Sequence, residues 1–389
     1  MSRRSVLQGA AAIALGTLAS GCSGGEPSLR VRLLNRSLPR QLVGEFRRTL
    51  TGQPKLDFKP ESNLQVIAEL LTDWQAIAAG DVTPPPAWRR WLPFAGSAAV
   101  PAADLVTLGD AWLAEAIQTK VIAPLDLTEL SHWSRLPSQW QALVRRNERG
   151  ELDPDGQIWG APYRWGTTAI AYDREKFAKL GWEPRDWADL WRPELRERIA
   201  IVNQPREVIG LTLKKLGYSY NTPDLDAIPE LAAELQALHT QIRLYNTVDY
   251  LQPLILEDVW VSVGWSLDLL AAQENYPQLA IVVPRSGSAI WTDVWVRPAA
   301  ATGDRRLVQS WIDFCWQTTV AKKISLFSEA VSPILLAEPR DQLPEALRSP
   351  SARFPTLAVL ERSEFLTPLP VATLAQYDRL WRQLRQPRS

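Results

Sequence analysis

The sequence is poor in the residues that build metal centres and covalent cross-links. Its 389 residues include two cysteines, Cys22 and Cys315, two histidines, His132 and His239, and one methionine. The histidines are far apart in sequence and have no cysteine spaced for shared ligation, so no zinc-type ligand pattern is present. Nor does any Ser-His-Asp arrangement, phosphate loop or cysteine with a histidine partner stand out. No catalytic residue, metal or cofactor is therefore assigned. A concentrated basic excess is also missing: without Arg3 and Arg4, 41 basic residues face 43 acidic ones, a charge near −2. That balance argues against a nucleic-acid partner.

What is present begins with the first residues. Arg3 and Arg4 precede the apolar run Val6–Ala19, which is interrupted by Gly and Thr and ends in small residues. It is too short and too broken for a permanent membrane span and reads as a signal peptide over 1–22. The paired arginines resemble a twin-arginine export signal. "LASGC", ending at Cys22, is similar to a lipoprotein cleavage site, with lipidation expected at Cys22 and a tether over 23–28. The chain is then exported to the periplasmic or extracytoplasmic side and held at a membrane face by lipid alone. A lipidated Cys22 leaves Cys315 without a disulfide partner, and Cys315 reads as a small buried residue.

Some 365 residues remain after the signal, more than a single core usually organises, so two domains are expected. Strands such as Leu29–Asn35 and "PKLDFKP" alternate with helical stretches such as "NLQVIAELL", a βαβ pattern that implies an α/β fold with parallel pairing. Ligands in such sheets gather at the carboxyl ends of strands, which draws attention to Arg36, Ser37 and Asp110. Gly80–Ala102 reads as a loop carrying Trp88 and Trp91, and 304–327 as one long amphipathic helix. Tryptophan is over-represented, at 18 against eight phenylalanines. It is the best ring for holding a cation, although most of these rings must serve packing.

The stretches "WGTTAIAYD", "DWADLWRPEL", "REVIGLTLKKLGYS" and "GSAIWTDVWVRP" occur in an order and spacing that resemble the spermidine/putrescine-binding proteins of polyamine ABC importers. The resemblance implies a two-lobe periplasmic-binding-protein fold of type II. Residues 29–166 plus 291–336 would form one lobe and 167–290 plus 337–389 the other, with crossings near Gly166–Ala169, near Ile290–Trp291 and a little after Pro333. It implies a ligand cleft between lobes, a monomer, and permease subunits as partners.

Carried over residue by residue, the resemblance assigns Trp291 and Trp265 as rings, and Asp293 and Glu207 as carboxylates for a polyamine. Charge-assisted bonds from ammonium to carboxylate are the strong kind, and a desolvated ring adds about 2 kcal/mol per cation. Gln204 stands where the family has a further carboxylate, Arg36 and Ser37 where it has Trp-Thr, and Leu366 at the position of a Gln that orients the amine. Asp110 or Asp268 could restore negative charge. Structural alternatives accompany each assignment: Glu207 as a helix N-terminal acid, Trp265 as core, Asp293 paired with Arg285 or Arg297, Arg36 in solvent. The competing functional readings are a less cationic or anionic solute met by Arg36, and a sensor or scaffold without transport.

Overall fold

A computed structural model describes residues 27–80 and 101–386. The expected signal, Cys22, most of the tether and the Trp88/Trp91 loop lie outside the described residues.

Two long strands organise the chain because both pass from one hydrophobic core into the other. In Ala161–Asp173 every residue is buried; Trp165 packs in the first core and Ala169 in the second. In Ala289–Pro298, Ala289 belongs to the second core, and Ile290 and Val294 to the first. The two strands pair antiparallel to each other. On one side the sheet continues through Leu105–Gly109, Leu29–Leu34 and Leu56–Glu61, the last three mutually parallel. On the other it continues through Val261–Trp265, Ile199–Ile201 and Ile242–Tyr245. This is the α/β class expected from the alternation of strand and helix.

Local sequence accounts for the flanking helices. Leu64–Ala78 buries Ile67, Leu71 and Trp74, spaced four and three residues apart, and Asn63 caps it by accepting from the Val66 amide at 3.0 Å. Asp173 ends the first crossing strand and caps the next helix, Arg174–Leu180, accepting from the amides of Glu175 and Lys176. That helix stops at Gly181, whose φ of 76° is left-handed and suits glycine. Most tryptophans of the first core do pack. Trp295 stacks on Tyr163 at 4.4 Å, and Trp311 meets Phe46 and Phe58 edge-on. Cys315 is buried among them, as expected.

One expectation changes. The single long helix over 304–327 is two helices, Arg305–Cys315 and Thr318–Phe327. Gln317 between them is extended, and buried Trp316 donates from Nε1 to the Pro162 carbonyl at 2.6 Å, a contact that fixes the break. Beyond Pro333 the chain touches both cores: Leu343, Leu347, Phe354 and Leu360 pack in the first, and Ala352, Val359, Leu366, Tyr377 and Leu384 with the second. The strand Glu364–Phe365 pairs with Ala289–Ile290.

Candidate functional site

Where the crossing strands meet, register decides which side chains share a face. Arg164, Gly166 and Thr168 alternate along one strand, and their cross-strand partners are Asp293, Trp291 and Trp265. Directly paired residues project from the same side of a sheet, so these side chains form one row. Gly109 pairs with Asp293 on its other edge, which brings the next residue, Asp110, to the same place. Glu207 joins from the first turn of the helix Pro205–Lys215. The register shifts after Asp293, with Tyr163 as the extra residue of the bulge, and Trp295 enters the core beyond it.

Asp293 is 4% exposed and Arg164 1%. Arg164 donates from Nε to Asp293 Oδ2 at 2.7 Å, with Nη2 2.6 Å from the same oxygen. Asp293 is therefore not a carboxylate whose only partner is a ligand, and the structural partners considered, Arg285 and Arg297, are not the ones it takes. Arg297 donates to the carbonyls of Ala301 and Gly303 instead. Burial raises the Asp293 carboxyl above its ordinary range, with Arg164 opposing.

The other acids are held less by cations than by neutral donors. Asp110 accepts at Oδ1 from the Thr292 amide at 2.9 Å, and Glu207 accepts at Oε2 from the Thr168 hydroxyl at 2.9 Å. Burial pushes each up to about 7, against the opposing pull of these hydrogen bonds and of Arg146 near Asp110 and Arg206 near Glu207. Repulsion from Asp293 adds to the rise at Asp110, and repulsion from Asp110 to that at Glu207, so the three acids sense one another. Asp268 accepts from the Tyr250 hydroxyl at 2.8 Å, is raised by burial and feels Arg164.

Both rings remain half-buried. Trp265 lies beside Glu207 and meets Tyr250 edge-on. Trp291 donates from Nε1 to the Thr167 carbonyl at 3.3 Å and lies across Gly166, where an added Cβ would come within 2.4 Å of the ring. Gly166 is thus required by close approach of an aromatic plane, not by its backbone angle.

Three expected residues do not join this row. Arg36 is exposed with a left-handed φ of 59°, and Gln204 is exposed ahead of the Glu207 helix. Ser37 is buried beside the Tyr163 hydroxyl. Leu366 packs against the second core. Sequence reasoning missed Arg164, Thr168 and Arg146. The available signal for Arg164 was a charged residue inside an otherwise apolar strand, the same signal that singled out Asp293. Among the described residues no group of three or more His, Cys, Asp or Glu side chains could hold a metal ion, and no helix is long and apolar enough to cross a membrane.

Comparison with known proteins places this geometry in context. The profile of the bacterial extracellular solute-binding protein family matches residues 101–356. The spermidine/putrescine-binding periplasmic protein of Salmonella typhimurium is 27% identical over 237 residues, covering 60% of this chain and 65% of that protein. The match thus spans just under two thirds of the Salmonella relative. The protein of the same name from Escherichia coli is 24% identical over 72% of this chain and 77% of its own length. The putrescine/cadaverine-binding protein of Pseudomonas aeruginosa is 27% identical over 67% and 75%. Among solved structures, the spermidine/putrescine ABC transporter substrate-binding protein PotD of Streptococcus pneumoniae superposes with a TM-score of 0.74 at 20% identity, over 92% of this chain and 99% of that one.

Proposed function

The chain belongs to the family of bacterial extracellular solute-binding proteins, and we propose that it binds a small ammonium-bearing, polyamine-like solute and delivers it to the permease of an ABC importer. One observation carries this reading. Asp110, Glu207, Asp268 and Asp293 come from four separate segments, tied to both cores, to a region that also holds the half-buried rings Trp265 and Trp291. Carboxyl groups supply the strong partners for an ammonium, and tryptophan faces cover the methylenes between charged ends. The polyamine ligands named for the Salmonella, Escherichia and Pseudomonas relatives agree with that chemistry.

In this reading the two cores are lobes, and the crossing strands Ala161–Asp173 and Ala289–Pro298 act as the hinge. Ligand contacts from both sides favour a closed form, to the extent that they are stronger there than in the open one. Binding and release are its task rather than catalysis. A monomer, exported under the Arg3–Arg4 signal and tethered through lipid on Cys22, would present the loaded cleft to the permease. A second reading has one observation in its favour: the buried guanidinium of Arg164 could meet an anionic group of the solute. A thermal-shift screen separates them. Spermidine, putrescine or cadaverine should raise the unfolding midpoint as ligand exceeds its dissociation constant, and succinate and phosphate should not. A rise with the anions alone would favour the second reading.

A further inference from the structure

We infer that Arg164 is a resident counter-cation standing in for one ammonium of a polyamine, so that the preferred ligand carries a single positive charge and ends, at Arg164, in a neutral acceptor such as an amide. This deepens the proposed function and rests on it. The charge balance of the site carries the inference. Four carboxyl groups, Asp110, Glu207, Asp268 and Asp293, face three guanidinium groups that act on them. Arg164 is bonded to Asp293 and acts on Asp268, Arg146 acts on Asp110, and Arg206 acts on Glu207. With every acid ionised, one negative charge is left for a ligand to neutralise.

Along the row Glu207, held at Thr168, is the carboxyl furthest from Arg164. Arg164 directs two nitrogens to Asp293 Oδ2, and the pair is buried, at 1% and 5% side-chain exposure. A second ammonium arriving there would face a guanidinium at close range in a region poor in water, where like charges repel strongly. An amide carbonyl would accept from a guanidinium, which presents five donors in a planar fork. At the other end Glu207 accepts from a neutral hydroxyl, that of Thr168, while Asp110 lies beside Asp293 and accepts from a backbone amide. Glu207 has no direct hydrogen bond from a side-chain cation among the described residues, and an ammonium can supply one. The half-buried rings Trp265 and Trp291 lie between these ends along the row.

The matched probes are putrescine and N-acetylputrescine, which share a four-carbon spacer and differ in one ammonium. Titration calorimetry on the wild-type protein should give N-acetylputrescine about 10-fold or more the affinity of putrescine. Arg164→Gln should bring the two affinities together or invert them. That variant leaves Asp293 buried without its cation and could fail to fold. The double variant R164Q/D293N removes both charges, keeps the balance, and should retain the preference for N-acetylputrescine. Equal or tighter binding of putrescine by the wild type overturns the inference and leaves the importer reading standing. An unchanged preference in folded Arg164→Gln also overturns it. Failure of both amines to bind overturns the inference and the polyamine reading together.

Discussion

At the scale of single residues, the Arg164–Asp293 pair sets the character of the site. Taking two charges out of water is costly, and removing one partner of a buried pair leaves the other uncompensated. Asp293→Asn should therefore lower stability by about 3–5 kcal/mol even without ligand, a loss that chemical denaturation would register. Were Asp293 merely awaiting a ligand, the same change would relieve a buried charge and leave the unliganded protein as stable or more so. Glu207 offers a different test. In the folded chain burial keeps Glu207 and Asp110 protonated up to about pH 7, above their ordinary carboxyl range. The folded state then holds protons that the unfolded chain has already released. Its stability contribution is full below the unfolded values and is lost as pH rises through about 7. Thermal melts of unliganded protein should show a higher midpoint at pH 5.5 than at pH 8, and Glu207→Gln should remove a large part of the difference.

At the scale of elements, the crossing strands gather the site, and the fit of Trp291 over Gly166 is their tightest constraint on this face. Gly166→Ala puts a methyl within 2.4 Å of the ring and 2.6 Å of Ser266 Oγ. The ring must shift, at about 1–3 kcal/mol, and ligand affinity measured by calorimetry should fall along with stability. Much of this element structure was legible. Core membership changes between Trp165 and Ala169 and between Ala289 and Ile290. Glu207 in a first helical turn and Asp110 at a strand end followed from spacing and from the family resemblance. The pairing of Arg164 with Asp293 was not legible, because it depends on the antiparallel register of two strands 129 residues apart. Arg297 and Arg285, nearer in sequence, were the visible candidates. Within 337–360 no local signal separates residues of one core from those of the other: Leu343, Leu347 and Leu360 pack in the first, and Ala352 and Val359 with the second.

At the scale of the whole molecule, two cores joined by continuous strands suit a device that closes on its cargo. If ligand contacts draw from both cores, saturating N-acetylputrescine should reduce the radius of gyration measured by solution X-ray scattering. A scattering curve unchanged by a bound amine would leave binding intact but remove closure. The closed state should also couple binding to proton loss, since an ammonium favours the ionised forms of Asp110 and Glu207. Affinity should then tighten from pH 6 to pH 8 by about 10-fold for each carboxyl that must ionise. The most direct measurement is a calorimetric titration of the wild-type protein with N-acetylputrescine at pH 7, in two buffers of different ionisation enthalpy. Buried carboxyls that receive an ammonium should release about one proton per ligand bound, because two groups titrating near pH 7 are each about half protonated there. Binding with no proton release, or with uptake, would contradict the claim that these carboxyls receive the ligand's charge.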